Sequence, residues 1–153
     1  MPRDRIHRHT SSAPSGLTCR IPIRVRFSEV DSMRIVWHGA YPRYFEDSRE
    51  AFGRQYPGIG YLDIHASGYT APIVELHLQY HHPLTIGDTA TVEIRHIDTP
   101  AAKLCFDYLI RRDADRQIVA TGHSMQVFID PSGELSLTQP EFYHQWRTRW
   151  LHP

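Results

Sequence analysis

One long amphipathic helix, set in a chain otherwise patterned for strands, limits what this sequence can become. Around Pro42, the residues Tyr41, Tyr44, Phe45, Ser48, Ala51 and Phe52 recur at three- and four-residue steps, while Arg43, Glu46, Asp47, Arg49 and Glu50 take the opposite face. Pro42 suits the first helical turn, where a missing N–H costs nothing. Gly53 is the expected C-terminal stop. Just upstream, the chain from Phe27 reads as a strand end and then a loop carrying Asp31 and His38. The opening N–H groups of a helix have no partner within it. A carboxylate and an imidazole therefore precede a place where negative charge is stabilised.

The rest of the chain alternates. Ile21, Ile23, Val25 and Phe27 are interleaved with Arg24, Arg26 and Ser28. Ile73, Leu76, Leu78 and Tyr80 alternate with Glu75, His77 and Gln79, and Ala90, Val92 and Ile94 follow the same rule. Leu104, Phe106, Tyr108 and Ile110 form the next strand, and Ile118 to Ile129 a long one with Val119, Met125 and Val127 on one side. Turn residues fall at 81–83, 86–88, 99–100, 111–115 and 130–133. Residues 55–68, with Pro57, Gly58, Gly60 and Gly68, read as an irregular connection holding a short helical turn over 61–64, and Pro140 to Leu151 reads as a terminal helix. A lone amphipathic helix must bury its apolar face, and the surface on offer is a curved antiparallel sheet. The expected class is α+β, a long helix wrapped by a curved antiparallel β-sheet of about five strands. That arrangement is the hotdog fold.

At 153 residues, 41% hydrophobic and 22% charged, the makeup is that of one globular domain large enough to bury a core. Lys+Arg and Asp+Glu each number 17, so the basic surplus that marks nucleic-acid binding is missing and no nucleic-acid partner is expected. Cys19 and Cys105 form no CxxC and no framework, which fits a reduced, cytoplasmic setting. No apolar run follows Arg3, Arg5 and Arg8, so neither a secretory signal nor a membrane span is expected. Residues 1–18, rich in Arg, His, Ser and Pro, are expected to form a disordered leader or a basic arm that touches a partner, and 19–153 a single domain. His77, His81 and His82 fit no common zinc spacing, and strand neighbours alternate faces; no metal and no cofactor are expected.

The stretch Phe27-Ser-Glu-Val-Asp31-Ser-Met-Arg-Ile-Val-Trp-His38-Gly-Ala-Tyr41-Pro-Arg-Tyr-Phe45-Glu46 resembles the 4-hydroxybenzoyl-CoA thioesterase-like branch of the hotdog acyl-CoA thioesterases. Val74 to Tyr80 and Pro83-Leu-Thr-Ile-Gly87-Asp88 are similar to that family's second strand and turn. The resemblance implies hydrolysis of an acyl- or aryl-CoA thioester to free acid and CoA. It implies that Asp31 is the catalytic carboxylate, either as nucleophile through a mixed anhydride or as general base for water. It also implies that the backbone N–H at His38 points at the thioester oxygen, and that the chain forms a homodimer or homotetramer. Residues near Thr70 to Ile73, Pro72 included, would then be supplied by the partner. Arg34 and Ala40 depart from the pattern, standing where many relatives carry Gly and Asn.

Several of these residues also have a plainer reading. Without the family pattern Asp31 is a turn or cap residue, and the His38 side chain either orients water and Asp31 or only supports structure. Trp37, Gly39 and Tyr41 are candidates to bind substrate, although aromatic residues beside a helix also serve as core. Lys103, Arg111 and Arg112 are candidates for the CoA phosphates, and a solvated hairpin tip explains the two arginines as well. Two other functions stay open: an acyl-carrier-protein thioesterase, and a non-catalytic acyl-binding subunit, against which the presence of Asp31 argues. A dehydratase ranks low, since His38-Gly39-Ala40-Tyr41-Pro42 matches the helix start of that class only superficially.

Overall fold

The structure, a computed structural model, describes residues 12–153; residues 1–11, where most of the expected leader falls, lie outside the described residues. The elements in order are β1 (Ala13–Arg24), α1 (Tyr41–Gln55), α2 (Tyr61–Ala66), β2 (Ile73–Tyr80), β3 (Thr89–Asp98), β4 (Lys103–Arg112), β5 (Ile118–Val127) and α3 (Glu141–Leu151), with single 3₁₀ turns at Phe27–Glu29 and His38–Ala40. The five strands form one antiparallel sheet in the order β1-β3-β4-β5-β2, so β1 and β2 are its edges. This is the expected α+β hotdog architecture, with α1 laid on one face of the sheet.

Aromatic contacts seat that helix. The Phe45 ring stacks on Tyr108 at 4.3 Å and Phe52 meets Phe106 edge-on at 5.1 Å. Burying one such ring is worth about 2–3 kcal/mol. A Cβ at position 122 of β5 would strike both the Phe45 ring and the His77 carbonyl. The missing side chain at Gly122 is what lets α1 come down onto the sheet.

Four expectations from the sequence need correction. Ala13 to Thr18, assigned to the leader, belong to β1: backbone pairing with β3 starts at Ala13↔Asp98 and rewards polar residues as well as apolar ones. The same strand stops at Arg24, and Phe27 lies 84% exposed in a 3₁₀ turn. Gly53 does not end α1 but sits inside it, where a Cβ would come within 2.8 Å of the Gly60 Cα; its smallness serves a close backbone approach. Arg49, assigned to the solvent face, is 2% exposed. Its guanidinium donates to the Ile59 carbonyl at 2.6 Å and the Gln126 side chain at 3.3 Å, and lies 4.8 Å from the Phe106 ring centroid, which is how a buried cation is tolerated. On β5 the helix-facing residues are Gly122, Ser124 and Gln126, while Met125 and Val127 take the other face. Ser124 is satisfied by the Tyr108 hydroxyl at 2.8 Å, and Gln126 donates to the Ala71 carbonyl at 2.6 Å.

The far end of the sheet is closed by α3. His96 on β3 is fully buried, 2.9 Å from the Tyr143 hydroxyl through Nε2 and 3.0 Å from the Ser15 hydroxyl through Nδ1. Burial, reinforced by the Arg147 and Arg49 charges and opposed by Asp98, pushes its pKa down to about 4. Among the described residues no helix is long and apolar enough to cross a membrane.

The lowered His96 value sets a pH dependence of stability. Between about pH 6.5, where the unfolded imidazole titrates, and about pH 4 the unfolded chain binds a proton that the native chain refuses. Stability must therefore fall as pH falls through that window, by about 3 kcal/mol at its foot. Urea unfolding at neutral and acid pH measures this. The non-titrating His96→Gln protein is expected to lose less stability than the parent over the same range; an equal loss contradicts the assignment.

Candidate active site

The loop between β1 and α1 is tied at both ends. Val30 bridges Val36, the Asp31 N–H donates to the Ile35 carbonyl at 2.9 Å, and the Arg34 N–H donates back to the Asp31 carbonyl at 2.9 Å. Asp31 itself accepts the Met33 N–H on Oδ1 at 2.8 Å, an Asx turn that holds the carboxylate in one orientation. Outside the turn, the Val36 N–H donates to the Leu84 carbonyl and the Trp37 N–H to the Glu29 carbonyl, each at 2.8 Å. Arg34 has φ +65°, the left-handed region that glycine enters freely. The loop thus keeps the shape a glycine would favour, and Arg34 strains it.

Glu29 fastens this loop to the helix. Its carboxylate is buried, accepting the Arg26 N–H at 2.8 Å and the Tyr44 hydroxyl at 2.9 Å. Burial first, and then the Glu29 carboxylate, push the Tyr44 phenol far above its ordinary value, so it stays a donor. Across from it, the Tyr80 hydroxyl at the end of β2 donates to the His38 carbonyl at 2.7 Å, and the Tyr80 ring meets Tyr41 edge-on at 5.1 Å.

Between these parts lies a cavity of about 340 Å³ lined by Asp31, His38, Tyr41, Tyr80, His81 and His82 among others. Asp31, His38 and Tyr41, far apart in role but expected to act together, are therefore brought to one space. The 3₁₀ turn His38–Ala40 runs straight into α1, so the N–H groups of His38 and Gly39 lead the helix and carry its positive end, about half a charge. Trp37 lies 52% exposed, and a Cβ on residue 39 would collide with its indole, so Gly39 is required where it stands. Ala40 offers no side-chain cap to the helix.

Other expected residues fall elsewhere. Pro72 and Ile73, at the start of β2, and Lys103, at the start of β4, do not line this cavity within one chain. Lys103 borders a separate depression with Cys105 and His123. Tyr80, His81 and His82 were not expected to line the cavity, because nothing near them in sequence announces the loop they face. His81 reaches the Thr121 hydroxyl at 3.0 Å, and His82 donates through Nδ1 to the Ile118 carbonyl at 2.9 Å. Among the described residues no group of three or more His, Cys, Asp or Glu side chains is placed to hold a metal ion.

The fold is a hotdog, with a cavity at the opening of its long helix that brings Asp31 and His38 together. The chain belongs to the thioesterase-like superfamily, whose family profile matches residues 25–146. Among its relatives is YneP of Bacillus subtilis, provisionally named an acyl-CoA thioesterase, 30% identical over 127 residues that cover 82% of this chain and 90% of that protein. Another is a 1,4-dihydroxy-2-naphthoyl-CoA hydrolase of a Synechococcus strain, 29% identical over 136 residues, covering 82% and 87%. The solved structure of Slr0204, a 1,4-dihydroxy-2-naphthoyl-CoA thioesterase from Synechocystis, superposes with a TM-score of 0.76 over 89% of this chain and 99% of that one at 19% identity, a likeness of fold.

Replacing Arg34 by glycine should relieve the left-handed strain at no cost to the loop's hydrogen bonds. The Arg34→Gly protein is expected to gain up to about 1 kcal/mol of stability in urea unfolding. A loss of stability instead would mean that the Arg34 side chain supports the loop.

Proposed function

We propose that this chain hydrolyses an acyl- or aryl-CoA thioester to the free acid and CoA, with Asp31 as the reacting carboxylate. The observation that carries the reading is that Asp31 and the opening of α1 line the same cavity. The N–H groups at His38 and Gly39 receive the thioester oxygen and stabilise the charge it gains in the tetrahedral state; one such donor is worth about 3–4 kcal/mol. Asp31 then works in one of two ways. As nucleophile it attacks the carbonyl carbon, the C–S bond breaks, CoA leaves as thiolate, and water cleaves the resulting mixed anhydride. As general base it takes a proton from the water that attacks directly. Tyr41, which lines the cavity, supplies apolar surface for the acyl group, whereas Trp37 lies outside the lining.

A second copy of the chain completes the site in this reading. The edge strand β2 exposes Val74 at 57% and Leu76 at 41%, and its free backbone edge suits pairing with another chain. Pairing along β2 gives a homodimer, the unit of any homotetramer, in which Pro72 and Ile73 of one subunit reach the cavity of the other.

Asp31→Asn keeps an oxygen that accepts the Met33 N–H, so the loop stays folded while the reacting group is lost. Thiol release measured over short, medium, long and aromatic acyl-CoAs is expected to fall by about 10²–10⁴-fold on the best substrate, with an unchanged melting curve. Full activity in that variant would overturn the assignment of Asp31.

A further inference from the structure

A second cluster of reactive side chains lies on the sheet face turned away from α1. Strand alternation sends Leu104, Phe106, Tyr108 and Ile110 toward the helix and Lys103, Cys105 and Asp107 to the opposite side. The β4–β5 register sets Asp107 opposite His123 and Cys105 opposite Met125. The His123 Nδ1–H donates to Asp107 Oδ1 at 2.7 Å, and the Cys105 thiol lies beside the same ring. Asp107 foremost, and Cys105 next, raise the His123 pKa to about 9. Cys105 is only 6% exposed, but together with His123 and Lys103 it lines a depression of about 230 Å³ floored by Ile97 and Met125.

The neighbouring strands complete the charges around this ring. Arg95 of β3 pairs in register with Asp107 and is bound to Glu93 at 3.1 Å. His77 of β2 stands opposite His123 and is bound to Glu75 at 2.6 Å. The other cysteine has a different setting. Cys19 on β1 belongs to the core, and burial pushes its thiol up, away from reactivity.

We propose that Cys105 is a modification site, a thiol that exchanges with small anionic disulfides, with the His123 imidazolium stabilising its thiolate and Lys103 drawing the anion to it. In the exchange, Cys105 Sγ attacks one sulfur of the disulfide R–S–S–R. A Cys105–S–S–R bond forms as the original S–S bond breaks, and R–S⁻ departs. The Sγ proton goes to solvent, and the His123 imidazolium, already protonated and held by Asp107, stabilises the thiolate left behind. The cysteine sulfur is oxidised and the departing sulfur reduced, so no further oxidant takes part. A thiol flanked by an imidazole–carboxylate pair and an ammonium is the electropositive, partly open setting in which cysteines react. None of these residues lines the Asp31 cavity within one chain, so the depression is a separate place on the molecule.

The test treats the folded full-length protein with oxidised glutathione, an anionic disulfide, or with cystamine, a cationic one, and follows adducts by intact-protein and peptide mass. Cys105 is expected to take the glutathione adduct faster than the cystamine adduct at low salt, with Cys19 unmodified until the chain is unfolded. Lys103→Gln should erase the preference for the anion. His123→Asn should slow the exchange about tenfold, and Asp107→Asn, which leaves the ring in place, should also slow it, each in protein with an unchanged melting curve. Absence of an adduct in the native protein, equal rates at Cys19 and Cys105, or an undiminished rate in folded His123→Asn protein would each overturn the proposal.

Discussion

A buried hydrogen bond between the Glu29 carboxylate and the Tyr44 hydroxyl, 2.9 Å long, decides where everything else in the site can sit. A carboxylate out of water is costly unless its lone pairs are occupied. Here the Arg26 N–H and the Tyr44 hydroxyl occupy them, one from the strand side and one from the helix. The backbone carbonyl of the same residue then takes the Trp37 N–H. One residue thus joins the end of the strand, the returning arm of the loop and the second turn of α1. The Asx turn of Asp31 hangs between these fixed points and cannot drift from the helix opening without breaking them.

The sheet contributes by letting α1 come close. Gly122 admits the Phe45 ring, and Arg49 spans the gap between helix and sheet to reach Gln126 on β5. The inner face of β5 is consequently polar where most strands under a helix are apolar. Ser124 pairs with Tyr108 of β4, and Gln126 pairs with Arg49 and with the Ala71 carbonyl, while the buried Arg49 Nη1 atom has no hydrogen-bond partner among the described residues. From the opposite side, Tyr80 fixes the His38 carbonyl and so the direction of the neighbouring N–H groups. Helix, loop and edge strand therefore each place one wall of the cavity.

How far this was legible in the sequence follows from the range of the forces involved. The helix and the strands announce themselves because burial of one face imposes a period, and periods are local. Tyr41, Tyr44, Phe45 and Phe52 were correctly assigned to the buried face for that reason. Arg49 broke the rule because its compensation comes from the Ile59 carbonyl, beyond the end of the helix, and from Gln126, 77 positions away, contacts that the period of one helical face does not reveal. The inward placement of Ser124 and Gln126 was not legible for the same cause, since their partners lie on other elements. Gly53 carried a local meaning, helix termination, that a distant contact with Gly60 overrode. In the site, Asp31 and His38 were visible through their motif, whereas Tyr80, His81 and His82 come from across the fold, and the role of Glu29 depends on its contact with Tyr44 fifteen residues on.

The central claim is spatial: a substrate carbonyl must fit between the Asp31 carboxylate and the start of α1. A crystal structure with an inert ketone or ether analogue of an acyl-CoA measures this directly. The account predicts the oxygen that stands for the thioester carbonyl about 3 Å from the His38 or Gly39 N–H, with the Asp31 carboxylate against the adjoining carbon. An analogue whose acyl carbon lies outside that cavity, with Asp31 still engaged only by Met33, would contradict it.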